Sequence, residues 1–153
     1  KLAKDGTLMW DVVRDVINKH KSEKFDGILL LQPTTPFRSL RKFNKYLKYF
    51  QKDSENYYSV TTKTKTNHKC YLKNKKLYFT KKGKPCFQTG SLILVNLKSF
   101  NEYKSFRIND SKPIITNNNY ENFDIDNYND FDNSRIFFKN KKKFEKYFLC
   151  KNL

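Results

Sequence analysis

Glycine is scarce in this chain, with four in 153 residues and none of them clustered. A phosphate-cradling loop needs closely spaced glycines so that backbone N–H groups can approach the phosphates, and Gly6, Gly27, Gly83 and Gly90 are too dispersed to make one. The three cysteines, Cys70, Cys86 and Cys150, are odd in number, far apart in sequence and not in Cys-x-x-Cys spacing, which argues against a zinc site or a disulfide framework. Apolar runs are short. None approaches the roughly 18 residues of a membrane span, and the N-terminus carries no apolar signal-peptide core, so a reducing cytoplasm is the expected location. The chain begins without Met and enters directly into a loop and helix, as a fragment or trimmed chain would.

Negative charge is also short. Fifteen Asp and Glu face 32 Lys and Arg, for a formal net charge of +17. Such an excess opposes collapse and attracts polyanions. A nucleic-acid-binding module, using interleaved residues such as Tyr46, Lys48, Tyr49 and Phe50, is therefore one reading. The other is compositional drift that places Lys on solvated faces, with the aromatics of that stripe packed against a sheet. A 37% hydrophobic and 16% aromatic content suffices for the core of a single domain.

Apolar residues at helical spacing, Leu8, Val12, Val13, Val16 and Ile17, predict a first helix. Gly27 to Leu31 is a continuous apolar run, the pattern of a strand covered on both faces in a parallel sheet. Gln32 to Arg38 forms a loop with two prolines, and Ser39 can cap a helix through Phe43, Tyr46, Leu47 and Phe50. Tyr57 to Thr62 reads as another strand. Between Lys63 and Gln88, the pieces Cys70–Leu72 and Lys76–Phe79 look like a hairpin excursion from the main sheet. Ser91 to Val95 returns as a buried strand, Leu97 to Tyr103 as a short helix, and Lys112 to Thr116 as a strand. A last helix is expected to start near Asn127 to Asp130 and to end in the Lys139–Lys143 cluster. The expected fold is α/β, a three-layer sandwich with a mostly parallel central sheet.

Ligands of open α/β sheets bind at the carboxyl ends of strands, where the Gln32–Arg38 loop lies. Gln32 presents an amide, Thr34 and Thr35 present hydroxyls, and Arg38 presents a fork suited to a carboxylate, a phosphate or a structural carbonyl. A rigid, capped strand-to-helix turn explains the same residues equally well.

The run Gln32-Pro33-Thr34-Thr35-Pro36-Phe37-Arg38 after a hydrophobic strand resembles the Q-P-T-[ST]-P-hydrophobic-Arg loop of acylneuraminate cytidylyltransferases. Leu2 to Thr7 with Asp11-Val12-Val13 resembles that family's L-A-x-D-T segment and the helix after it. Phe123-Asp124-Ile125-Asp126 with Asp130-Phe131 resembles its I-D-I-D-x-x-x-D-[FL] segment, and Thr89-Gly90-Ser91-Leu92-Ile93-Leu94 stands where it has N-G-A-I-Y-I. The resemblance spans residues 2 to about 138, the C-terminal two-thirds of the family's domain.

The resemblance implies a nucleotide-diphospho-sugar transferase-like fold that transfers CMP from CTP to a nine-carbon 2-keto sugar acid with release of pyrophosphate, in the assembly of surface glycans. It implies Mg²⁺ held by Asp124 and Asp126, which two apart on an extended piece after a strand can face one cation. It implies substrate contacts from Gln32, Pro33, Thr34 and Thr35, with Thr89, Lys82 and Lys84 as further candidates, and Asp5 at the nucleotide site. Residues 63–88 fall where the family inserts a subdomain exchanged between subunits, so a homodimer is implied. The family's phosphate-binding loop has no counterpart after Lys1, so the chain alone is expected to be inactive.

Overall fold

The computed structural model describes residues 6–63, 68–116, 118 and 120–140. Helix α1, Met9–Lys19, is followed by strand β1, Gly27–Leu30. Ser39 opens α2, Leu40–Asp53, by accepting from the Lys42 N–H, and Ser54 closes it in the left-handed region at φ 52°. Strand β2, Tyr57–Thr61, is buried along its whole length. A hairpin follows, β3 at Lys69–Lys73 and β4 at Lys76–Tyr78, turned by Asn74 and Lys75 at φ 50° and 61°. Two consecutive left-handed residues give the strand twist that a two-residue hairpin needs. Gly83, at φ 107°, then leads into β5, Lys84–Asn96, where a Cβ would overlap the Leu72 carbonyl. Helix α3, Leu97–Tyr103, strand β6, Lys112–Ile115, and helix α4, Tyr128–Lys139, complete the order.

The sheet corrects the expectation of a mostly parallel, nucleotide-diphospho-sugar transferase-like core. Of five strand pairings, only β2 with β6 is parallel, while β1–β5, β2–β5, β3–β4 and β3–β5 are antiparallel. The cause is β5. It leaves the hairpin and runs back between β1 and β2, so two strands that share a direction are separated by one that opposes them. The α/β class stands, with a mixed and mainly antiparallel sheet.

The run Gly27–Leu30 looks like a parallel-sheet strand because it is covered on both faces, and an antiparallel strand between helices is covered in the same way. Alternation along β5 shows this. Leu92 and Leu94 face Phe43, Tyr46 and Phe50 of α2, whereas Ile93 and Val95 face Trp10, Val13 and Ile17 of α1 and Phe100 of α3. The fully buried side chains among these, Val95 and Phe100, each contribute about 1.5–3 kcal/mol. Of the aromatic stripe of α2, Phe50 is buried and Tyr46 packs tilted against Tyr57 with ring centroids 5.5 Å apart, while Tyr49 remains exposed. Among the described residues no helix is long and apolar enough to cross a membrane.

Candidate functional site

The site begins with a fault in the β2–β5 register. Tyr58 pairs with Ile93 but Val60 pairs with Gln88, so Ser59 alone stands opposite residues 89–92. A bulge of that size strands backbone groups that must find partners. Ser59 supplies them. Its Oγ donates to the Thr89 carbonyl at 2.9 Å and accepts from Thr89 Oγ1 at 2.8 Å and from the Leu92 N–H at 3.0 Å. One hydroxyl has one proton and two lone pairs, so Ser59 is fully used.

The bulge carries the Gln32–Arg38 loop. The Gln32 N–H points to the Gly90 carbonyl at 3.4 Å, Arg38 Nε donates to the Ser91 carbonyl at 2.9 Å, and an Arg38 Nη donates to the Gln32 carbonyl. Arg38 therefore clasps loop to bulge through backbone oxygens, and its burial pulls the guanidinium pKa down from the ordinary value. Glycine at position 90 lets the loop approach closely. A Cβ there would overlap Gln32 Oε1 and lie 2.5 Å from Thr35 Oγ1.

The second element is the coil before α4. The Ile125 N–H donates to the Thr34 carbonyl at 2.8 Å, and Thr35 Oγ1 donates to Asp124 Oδ1 at 3.4 Å across 89 positions of sequence. Three rings hold this junction. Phe37 of the loop, Phe123 beside Asp124, and Phe137 of α4 meet edge-on at centroid distances of 5.9, 6.1 and 5.5 Å. Asp124 is half-buried and Asp126 exposed, with the Asp126 N–H donating to Asp130 Oδ2 at 3.1 Å. The two carboxylates do not follow a strand as expected. Residues 123–126 are irregular, and Asp124 lies nine positions beyond the end of β6 at Ile115.

The structure thus brings together Gln32, Thr34, Thr35 and Asp124, with Pro33 exposed on the loop and Asp126 on the rim. Thr89 is adjacent, but its hydroxyl is turned inward to Ser59, and the residue is buried. Thr89 shapes the bulge and does not offer a free hydroxyl. On the α1 side, Gln32 and Thr89 line a cleft of about 190 Å³ with Met9, His68, Gln88 and Arg107. Lys82 and Lys84 are not brought to the site. Lys84 pairs with Leu72 at the far end of the hairpin, four strand residues or roughly 13 Å from Gln88, and Lys82 Nζ lies 4.6 Å from the centre of the Tyr78 ring. Asp5 lies outside the described residues.

Sequence reasoning missed Ser59, Gly90 and the three-ring lock. Ser59 had a visible signal, a small hydroxyl between the large residues Tyr58 and Val60 of a strand read as buried.

Among the described residues no three or more His, Cys, Asp or Glu gather in a metal-binding cluster. A dedicated protein cage for a cation is thus absent there. Asp124 and Asp126 instead fit the donor set of Mg²⁺, which is commonly held by one or two carboxylates with phosphate oxygens and water supplying the rest. No family model matches this chain, and no curated protein matches it.

Proposed function

We propose that the full-length protein transfers CMP from CTP to a nine-carbon 2-keto sugar acid, with release of pyrophosphate, as a cytoplasmic enzyme. The observation that carries this reading is the junction of Thr34 and Thr35 with Asp124 and Ile125. Two segments distant in sequence, each of which resembles a cytidylyltransferase motif, meet where a rigid loop leaves β1.

In this reaction the anomeric hydroxyl of the sugar acid attacks the α-phosphorus of CTP in line, and pyrophosphate departs. Both substrates are anionic, so positioning and charge neutralisation supply most of the rate. Asp124 and Asp126 would hold Mg²⁺, which neutralises phosphate charge when bound. The Thr35 hydroxyl aims the Asp124 carboxylate by donating to Oδ1, leaving Oδ2 for other partners. Gln32, half-buried at the end of β1, offers an amide that can both donate to and accept from sugar hydroxyls. Arg38, with both contacts on backbone carbonyls, keeps the loop in place and takes no part in charge neutralisation. The reading carries with it a homodimer formed through the region of residues 63–88.

The test is pyrophosphate release by the full-length protein supplied with CTP, Mg²⁺ and sialic, legionaminic or pseudaminic acid. Asp124→Asn with Asp126→Asn is expected to reduce turnover by about 10²–10³-fold or more. No release with any of the three acids would overturn the reading. Salt-sensitive binding of single-stranded nucleic acid that survives both substitutions would replace it with the nucleic-acid module.

A further inference from the structure

We propose that Cys70 and Cys86 form a redox-modification site, in which hydrogen peroxide converts the two thiols into a cross-strand disulfide that staples the β3–β4 hairpin to β5. The two residues are sixteen apart in sequence but directly paired in the β3–β5 ladder. Their sulfurs are 3.1 Å apart, and both residues are fully buried. The Gln88 N–H donates to the His68 carbonyl, so residues 68 and 88 form a hydrogen-bonded pair. By alternation the Cys70–Cys86 pair, two steps along, is of the same kind. Such pairs hold their Cα atoms about 5.5 Å apart, within the span of a disulfide. Closing the bond shortens the sulfur separation from 3.1 Å to about 2.0 Å.

The hydrogen bond from the Cys70 thiol holds Cys86 below its ordinary pKa against the opposing effect of burial. That same contact, together with burial, pushes Cys70 up. Cys86 is taken as the attacking sulfur, and exchanging the roles of the two gives the same disulfide. The Cys86 thiolate attacks one oxygen of hydrogen peroxide, giving a sulfenic acid, and the departing hydroxide takes the proton that Cys86 released. The Cys70 sulfur then attacks the Cys86 sulfur, the S–O bond breaks, and the hydroxyl leaves as water with the Cys70 proton. Two thiols and one peroxide become one disulfide and two waters, the thiols losing two electrons and the peroxide gaining them. A reducing thiol pool reverses the bond, as expected for a disulfide of the cytoplasm.

The staple reaches the candidate site. Cys86 is two residues before Gln88 and Cys70 two after His68, and both of those line the cleft beside Gln32. The inference does not depend on the proposed reaction.

The experiment uses the protein carrying Cys150→Ser, so that only this pair can react, treated in the folded state with hydrogen peroxide. The expected product has lost the mass of two hydrogens. Trypsin cleaves after Lys73, Lys75, Lys76, Lys81 and Lys82 between the two cysteines, and without reductant their peptides are expected as one linked species that dithiothreitol separates. Amide hydrogen exchange in β3 is expected to slow several-fold on oxidation. Oxygen added to either cysteine without a linked peptide would overturn the proposal. So would two thiols that stay alkylatable under peroxide that oxidises the same chain in denaturant, or unchanged exchange in a fully linked protein.

Discussion

Ser59→Ala removes one oxygen from the middle of β2 and, with it, all three hydrogen bonds that close the bulge. The Leu92 N–H and the Thr89 carbonyl lose the partner described above, and the pocket around them is too enclosed for easy hydration, since Ser59 is fully buried and Thr89 nearly so. Thr89 Oγ1 keeps only a 3.4 Å contact with Ser91 Oγ. Each buried polar group left without a partner costs about 1–3 kcal/mol, so two of them predict a loss of about 2–6 kcal/mol. That is a large share of the ~5–15 kcal/mol by which a domain is stable. The assay is urea unfolding followed by fluorescence of the single tryptophan, Trp10, whose ring lies 4.2 Å from that of Phe100 in the core. The midpoint should fall with little change in slope. In a cycle with Thr89→Val, the double variant should lose less than the sum of the singles, because the two hydroxyls bond each other. A loss below about 1 kcal/mol, or strict additivity with Thr89→Val, would refute the reasoning that Ser59 closes the bulge.

Three other substitutions probe different parts of the fold. Gly90→Ala is compatible with the backbone, since Gly90 is not in the left-handed region, but displaces Gln32 Oε1 and Thr35 Oγ1; a loss of about 1–2 kcal/mol in urea is expected, with a proportionally greater loss of pyrophosphate release. Lys75→Gly relieves a left-handed non-glycine residue at φ 61° in the hairpin turn, and should raise stability by about 0.5–1 kcal/mol in the same assay. Asp53→Asn tests acid sensitivity. Burial alone would raise the Asp53 pKa, but hydrogen bonds from Lys112 and Tyr57 outweigh it and hold the carboxyl below its usual value. The resulting stability is present above the unfolded pKa of about 3.9 and is lost as pH falls through the lower folded value. Urea midpoints measured from about pH 6 down to pH 2 should show a shallower acid limb in Asp53→Asn than in the wild type.

The local elements were largely legible because each rests on short-range physics. The periodic Phe43, Tyr46, Leu47 and Phe50 with Ser39 before them specify α2, and Asn127 does cap α4 by accepting from the Asp130 N–H. Strand direction was not legible. The runs of β1 and β5 record only that both faces are covered, and nothing in Ile28-Leu29-Leu30 indicates that its neighbour runs the opposite way. β5 was also longer than its apolar part, since Lys84 to Phe87 pair with β3 although their composition is mixed. The same limit hid the cysteine pair. A sixteen-residue separation looks remote until a two-residue turn at Asn74-Lys75 folds the chain back on itself. At the candidate site, Gln32, Thr35 and Asp124 were named from motif position, and what joins them could not be. The contact between Thr35 and Asp124 depends on how α4 docks through Phe37, Phe123 and Phe137. Thr89 was read as a substrate contact because its hydroxyl is visible in the sequence, whereas the bulge that turns it toward Ser59 is a register property of two strands.

The central claim is that the Gln32–Arg38 loop and the Asp124–Asp126 segment make one cation-dependent nucleotide site. Mn²⁺ in place of Mg²⁺, added with CTP to the full-length protein, tests it directly through paramagnetic broadening of backbone amide signals. The account predicts the strongest broadening at Gln32, Thr35, Gly90 and Ile125, weaker broadening at Lys82 and Lys84, and loss of the effect in Asp124→Asn with Asp126→Asn. Broadening confined to the hairpin end, or unchanged by those two substitutions, would contradict it.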